Sequence, residues 1–274
     1  MLGAIIGDTI GSVYEFNNIK TTDFPLFTNE SMFTDDSLMS IAVAMWLLYE
    51  DHSSAKLEHY ILEIAHRYPN PMGGYGSGFY KWLFHPENLF EYCDAQHWHD
   101  AKGGIRHPYN SYSNGSAMRA SACGWYAKSV EDALYWGKRS AEITHNHPEG
   151  IKGAQAVSAA IFKARHSASK KEILAFIERQ FGYDLHRKCD DIRPYYRYEV
   201  ACSESVPQAI VAFMDSYDFE SAVRLAVSLG GDSDTIACIT GGIAEAFYGS
   251  IPKVVENHVM NLLPEEFQTV VRKV

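Results

Sequence analysis

At 274 residues with 46% hydrophobic content, the chain can bury a substantial core and lies near the upper size of one domain. A formal net charge of -10 argues against nucleic acid or an anionic membrane as partner, since both repel such a surface. Anionic nucleotides stay open as ligands, because metals or backbone N–H groups can meet their phosphates.

The first helix carries Gly3, Gly7 and Gly11 at every fourth position, a bare stripe that something approaches closely. Tight helix packing is the first explanation and ligand contact the second. Asp8 and Glu15 lie about 10 Å apart along the axis on a shared face, so both could look into one polar cavity; for Asp8 a bond to a neighbouring loop is an equal alternative. Thr34-Asp35-Asp36 then precedes an apolar helix over 37–50. Thr34 as N-cap with two acids in the first turn is sufficient structural explanation for that triplet alone.

Helical periodicity continues at 57–65, 133–143, 151–164, 171–181, 206–214, 219–229 and 233–247. Pro148 and Glu149 open one helix and Gly182 closes another. Between them lie loops at 70–78 and 101–115 and a charged, tyrosine-rich excursion at 184–198. The loop at 108–119 reads P-Y-N-S-Y-S-N-G-S-A-M-R and runs into a helix near Ser116, whose free N–H groups suit phosphate, although an ordinary Asn-Gly turn also explains it. Arg119 suits a phosphate or, equally, an ion pair or carbonyl contact. In Thr144-His145-Asn146-His147-Pro148 the histidines read first as polar surface or a helix cap; His97, His99 and His107 have no ligand spacing. The pattern predicts an all-α protein with a single domain over 1–274.

Gly230-Gly231-Asp232-Ser233-Asp234-Thr235 opens a second buried apolar helix. Two such starts alter the argument, because four buried aspartates repel one another and lose hydration, which capping alone does not offset. A hard divalent cation does, and carboxylates with Thr hydroxyls favour Mg²⁺ or Mn²⁺ over zinc. Cys93, Cys123, Cys189, Cys202 and Cys238 are odd in number, lack a C-x-x-C pair and read as reduced thiols of a cytoplasmic protein. The apolar run 41–49 is too short to span a bilayer, and a start carrying Asp8 and Glu15 but no base before Lys20 makes a poor signal peptide.

The ordered set G-A-I-I-G-D-x-x-G-x-x-x-E, T-D-D, S-Y-x-N-G-x-A-M-R, T-H and G-D-S-D-T resembles the ADP-ribosylglycohydrolase family, the dinitrogenase reductase-activating glycohydrolase-like proteins, over nearly the whole chain. The resemblance implies an orthogonal helical bundle with two Mg²⁺ or Mn²⁺ ions, held by Thr34, Asp35, Asp36, Asp232, Asp234 and Thr235. It also implies Ser111, Tyr112, Asn114, Gly115 and His145 around the diphosphate and distal ribose. Gly76, in Gly74-Tyr75-Gly76-Ser77-Gly78, resembles part of a second substrate loop and lacks a P-loop's ending. Glu15 and Asp35 are both candidates for the catalytic carboxylate. The implied reaction is hydrolysis of the glycosidic bond between ADP-ribose and an ADP-ribosylated protein side chain or small conjugate. A metal-dependent phosphohydrolase of nucleotide diphosphates and a non-catalytic ADP-ribose binder are the alternatives.

Overall fold

The structure, a computed structural model, describes residues 1–49, 51–88 and 106–274; Cys93, His97, His99 and the 101–105 part of the second loop lie outside them. Among the described residues the chain is all helical, with only two isolated bridges, Thr34 to Met72 and Ser113 to Ala201, in place of strands. In chain order the helices are α1 (Leu2–Gly11), α2 (Asp35–Leu48), α3 (Ser54–Arg67), α4 (Ser77–Phe84), α5 (Gly115–Met118), α6 (Ser121–Tyr126), α7 (Val130–Ala141) and α8 (Pro148–Arg165). They continue with α9 (Lys170–Phe181), α10 (Cys189–Ile192), α11 (Cys202–Asp215), α12 (Phe219–Ser228), α13 (Ser233–Tyr248), α14 (Lys253–Leu262) and α15 (Glu265–Lys273).

The centre of the bundle is the pair α1 and α13, and their most intimate contact is made by the glycine stripe. A Cβ at Gly3 would stand 2.4 Å from the Gly241 carbonyl oxygen, one at Gly7 2.0 Å from that of Ala237, and one at Gly11 2.4 Å from Cα of Asp234. The stripe therefore packs helix on helix and contacts no ligand. Around this pair α2, α8, α11 and α12 bury apolar faces in one continuous core that runs from Met1 to Val271. Met1 closes the arrangement, since its amino group pairs with Glu245 at 3.0 Å and the Gly3 N–H donates to the same carboxylate at 2.8 Å.

The expected helices are present with ends displaced by a few residues, as fraying and caps dictate. Two differences have physical reasons. The loop at 70–78 ends early, because Ser77 opens α4, which buries Phe79, Trp82 and Leu83. The helix near Ser116 is a single turn, Gly115–Met118, too short to carry much of a dipole. Among the described residues no helix is long and apolar enough to cross a membrane. Cys123, Cys189, Cys202 and Cys238 are unpaired and buried.

Candidate active site

The packing of α1 on α13 brings two ends together: the turn that leaves α1, Ser12–Tyr14 followed by Glu15, and the loop that enters α13. Gly230 and Gly231 take left-handed conformations, with φ of 69° and 74°, which side chains rarely adopt. A Cβ on Gly231 would also meet the Tyr196 ring at 2.6 Å and the Arg197 carbonyl at 2.7 Å. Asn18 fastens the turn to the loop: its amide donates to the carbonyls of Tyr14, Glu15 and Gly231 at 2.8, 2.8 and 2.9 Å, and its oxygen accepts from the Gly231 N–H at 2.7 Å. Lys20 adds donors to the Tyr196 and Leu229 carbonyls.

The start of α2 is set by Asp8. This fully buried carboxylate accepts from the Thr34 N–H at 2.9 Å, the Thr34 hydroxyl at 2.8 Å, the Ser37 N–H at 3.1 Å and the Ser37 hydroxyl. Asp8 thus caps α2 from outside and does not line the cavity beside Glu15, unlike the shared outlook that their spacing allowed. Its pKa rises to about 6, pushed up by burial against the pull of these bonds. Thr34 is likewise fully buried outside the cavity lining, its hydroxyl giving to Asp8 and accepting from the Asp36 N–H at 3.2 Å.

A cavity of about 510 Å³ opens between these helix starts and the 108–115 loop. Its lining includes Glu15, Asp35, Asp36, Asp232, Asp234 and Thr235 together with Ser111, Tyr112, Asn114, Gly115, His145 and Gly76. Oxygens of Glu15, Asp232 and Asp234 lie within 4.8 Å of one another. The Thr235 hydroxyl reaches Asp36 at 3.2 Å, which ties the second motif to the first, and the Asn114 amide donates to Asp232 at 2.8 Å, which ties both to the 108–115 loop. Asp35 is the more open of the paired aspartates, while Asp36 is buried.

The electrostatics of these carboxylates are those of charge without compensation. Burial, then neighbouring carboxylates, hold Asp35, Asp36 and Asp234 well above the usual range. Burial and Asp232 raise Glu15 to about 7 against the hydrogen bond from Tyr198. Two buried acceptors, Glu15 Oε2 and Asp36 Oδ2, have no hydrogen-bond partner. Buried carboxylate oxygens without a partner are costly unless a cation meets them, and hard oxygen donors suit Mg²⁺ or Mn²⁺. The donor set fits a divalent metal.

Several contributors carried no signal in sequence. Tyr198, from the tyrosine-rich excursion, donates its hydroxyl to Glu15 at 3.1 Å and stacks on exposed Phe16 at the cavity mouth. Gly73, with φ of 77°, passes so close that a Cβ would lie 2.7 Å from Glu15 Oε2. Arg119, for which the sequence left a phosphate, an ion pair or a carbonyl contact open, lines the cavity, fully buried, and donates to the Ser140 carbonyl at 2.8 Å and the Thr144 hydroxyl at 2.7 Å. Of the two histidines His147 caps α8, accepting from the Glu149 N–H at 3.1 Å, while His145 is buried in the cavity wall.

A model of the ADP-ribosylglycohydrolase family matches residues 1–272. The ADP-ribosylhydrolase ARH3 of Mus musculus is 28% identical across 98% of this chain and 85% of its own, and that of Homo sapiens 28% across 98% and 86%. The ADP-ribosylarginine hydrolase Tri1 of Pseudomonas putida is 25% identical across 91% of this chain and 69% of its own. A solved structure described as an ADP-ribosylglycohydrolase-related protein complex superposes with a TM-score of 0.67 at 22% identity, covering 98% of this chain and 94% of that one, a likeness of fold. With the match running nearly end to end over a helical bundle of the same fold, this chain belongs to the ADP-ribosylglycohydrolase family.

Proposed function

We propose that the protein hydrolyses the glycosidic bond between ADP-ribose and an acceptor, either an ADP-ribosylated protein side chain or a small conjugate, and does so with two divalent cations, Mg²⁺ or Mn²⁺. Residues 1–274 act as one domain in this proposal, consistent with the continuous core. The observation that carries it is the lining of the cavity, which joins uncompensated carboxylates to a hydroxyl- and amide-rich loop. A sugar at the carboxylates with its diphosphate along the loop matches that lining.

Glu15, Asp36, Asp232, Asp234 and Thr235 would hold the ions, with Asp35 reaching them from the open side of α2. Bound there, the ions would neutralise the carboxylates and orient ribose hydroxyls and a water at the anomeric carbon. Thr34 would join the ligands by turning its hydroxyl away from Asp8. Grouping Glu15 with Asp232 and Asp234 favours it as an ion holder, which leaves Asp35 as the base. Its carboxylate takes a proton from the attacking water, and carboxylates nearby stabilise positive charge on the anomeric carbon as its bond to the acceptor breaks. The acceptor leaves with that proton. Ser111, Tyr112, Asn114, Gly115 and His145 position the diphosphate and distal ribose, and Gly76 bounds them from the opposite wall.

The test is to incubate the Mg²⁺- or Mn²⁺-supplemented protein with ADP-ribosylated arginine and serine peptides and to resolve the products by mass spectrometry, with Asp35→Asn as control. Intact ADP-ribose and unmodified peptide are the expected products. AMP would establish a phosphohydrolase instead, and tight binding without turnover a non-catalytic binder.

A further inference from the structure

Arg119 is an unusual charge. It is fully buried, it forms no ion pair among the described residues, and two of its nitrogens, Nε and Nη1, have no hydrogen-bond partner. Burial lowers its pKa only to about 10, so it stays a cation at neutral pH. What stabilises it is the C-terminal end of α7: Nη2 donates to the Ser140 carbonyl at 2.8 Å, where the helix dipole favours positive charge. The same nitrogen donates to the Thr144 hydroxyl at 2.7 Å. That second bond starts a chain which ends in the cavity.

A guanidinium has donors only, so Thr144 Oγ1 must accept from it. The Thr144 hydroxyl lies 2.7 Å from His145 Nδ1 and is fully buried. If Nδ1 carried a proton, Thr144 would accept twice and its own proton would be buried without a partner, at a cost of about 1–3 kcal/mol. The Thr144 proton therefore goes to Nδ1, which accepts. Protonation of both nitrogens is opposed by burial and by Arg119, which hold the imidazole well below its ordinary pKa. The ring is then the neutral Nε2–H form, and Nε2 donates to Ser113 Oγ at 2.9 Å. Ser113 Oγ, having accepted, gives its own proton to Ser111 Oγ at 3.0 Å. Ser111 Oγ also accepts from the Ser113 N–H at 3.2 Å. Its proton remains for an acceptor in the cavity, or for the Tyr109 phenol oxygen, which would then turn its own proton outward.

We propose that Arg119 is a positioning residue which, through Thr144, fixes the Nε2–H form of His145 and makes the Ser113–Ser111 hydroxyl pair present a donor to an anionic group in the cavity. With the opposite tautomer the bonds from Thr144 through His145 and Ser113 to Ser111 would reverse, while Arg119 still donates, and the loop would present an acceptor lone pair to that anion. The direction of the chain is independent of what the cavity holds; the identity of the anion, a diphosphate, rests on the ADP-ribose proposal.

The test combines imidazole ¹⁵N spectra, which report which nitrogen carries the proton, with calorimetry of ADP-ribose binding. The variants are Thr144→Val, Thr144→Ser and Arg119→Lys, with His145→Asn to assign the signal. Expected are an Nε2–H signal for His145 in the unaltered protein and in Thr144→Ser, and a mixed tautomer in Thr144→Val. ADP-ribose affinity should be about tenfold or more weaker in Thr144→Val, the loss of one hydrogen bond to a charged group, while the stabilisation given by Mn²⁺ alone is unchanged. Arg119→Lys, which keeps a donor, should fall between. An Nδ1–H signal in the unaltered protein, or a Thr144→Val protein with the original tautomer and affinity, overturns the proposal. The expected tautomers in a protein that binds no ADP-ribose would uphold the chain and overturn the diphosphate as its ligand.

Discussion

Replacing Gly7 with alanine asks whether the α1–α13 contact sets the geometry of the acidic cluster. A Cβ there would stand 2.0 Å from the Ala237 carbonyl oxygen and 2.4 Å from its carbon, whereas carbon and oxygen approach to about 3.3 Å at closest. The obstruction is backbone and cannot rotate away, so the helices must part by about 1 Å. Overpacking of this kind costs about 1–3 kcal/mol, and a contact with backbone on both sides belongs in the upper half of that range. Alanine returns about 1 kcal/mol through helix propensity. The net loss is therefore about 1–2 kcal/mol, a fall in Tm of about 2–8 °C for a domain of this size. The displacement also carries Glu15, just beyond α1, away from Asp234 in the first turn of α13, and ligand sets tolerate about 0.5 Å. Mn²⁺ titration followed by calorimetry should show at least about tenfold weaker binding with every ligand still in place. A variant that gains about 1 kcal/mol and keeps its Mn²⁺ affinity would refute the coupling, since propensity would then outweigh packing.

Asp232→Asn should lower turnover by at least about a hundredfold with the far-ultraviolet circular dichroism intact, because it removes charge from the cluster without altering shape; near-normal activity would count against the two-ion proposal. Asn18→Ala deletes two hydrogen bonds within the Glu15 turn and two between that turn and the Gly231 loop, so urea unfolding should show a loss of about 2–4 kcal/mol. Mn²⁺ affinity should fall with it, and an unchanged affinity would mean that the tie stabilises the fold alone. His145 gives a pH signature: its folded pKa is depressed, so below about pH 6.5 the unfolded chain takes up a proton that the folded protein refuses. Stability of the unaltered protein relative to His145→Asn should then decline by up to about 1.4 kcal/mol per pH unit below that point. The buried aspartates act with the opposite sign, but they are common to both proteins and cancel in the difference.

How much of the fold was legible depended on what each helix buries. The helices α7, α8, α11, α12 and α13 hide one face or nearly all of their surface, and their apolar spacing marks them directly. The last two helices bury only Val255 with Val259 and Phe267 with Val271; α9 buries as few, Ile173 and Ile177, but is framed by the Ser169 capping box and Gly182, whereas the last two have no side-chain cap to mark them. The single turn α5 begins near Ser116 as its sequence indicates but ends within one turn, whereas α10 is held by contacts from elsewhere, as where the Cys189 N–H donates to Asp215 at 2.8 Å. Nothing local could announce α10.

The site divides along the same line. Residues whose chemistry is conspicuous in a local motif, such as Asp35, Asp36, Asp232 and Asp234, could be nominated from sequence, and the structure brings all four with Glu15 into the lining of one cavity. Residues that act on those side chains from elsewhere were legible only in part. Asp8, for which a bond to a neighbouring loop was one of two readings, caps the helix that presents Asp35 and Asp36. Asn18, which joins two segments more than two hundred positions apart, and Tyr198, which reaches Glu15 from a stretch that reads only as charged and aromatic, could not be nominated. The Asp8–Thr34 contact also shows what a motif leaves out: spacing marks a hydroxyl beside two carboxylates, but only the fold reveals that it is held by a third. Sequence identifies groups that could meet a ligand, whereas their orientation and charge state are set by partners whose positions are fixed only when α1 closes on α13.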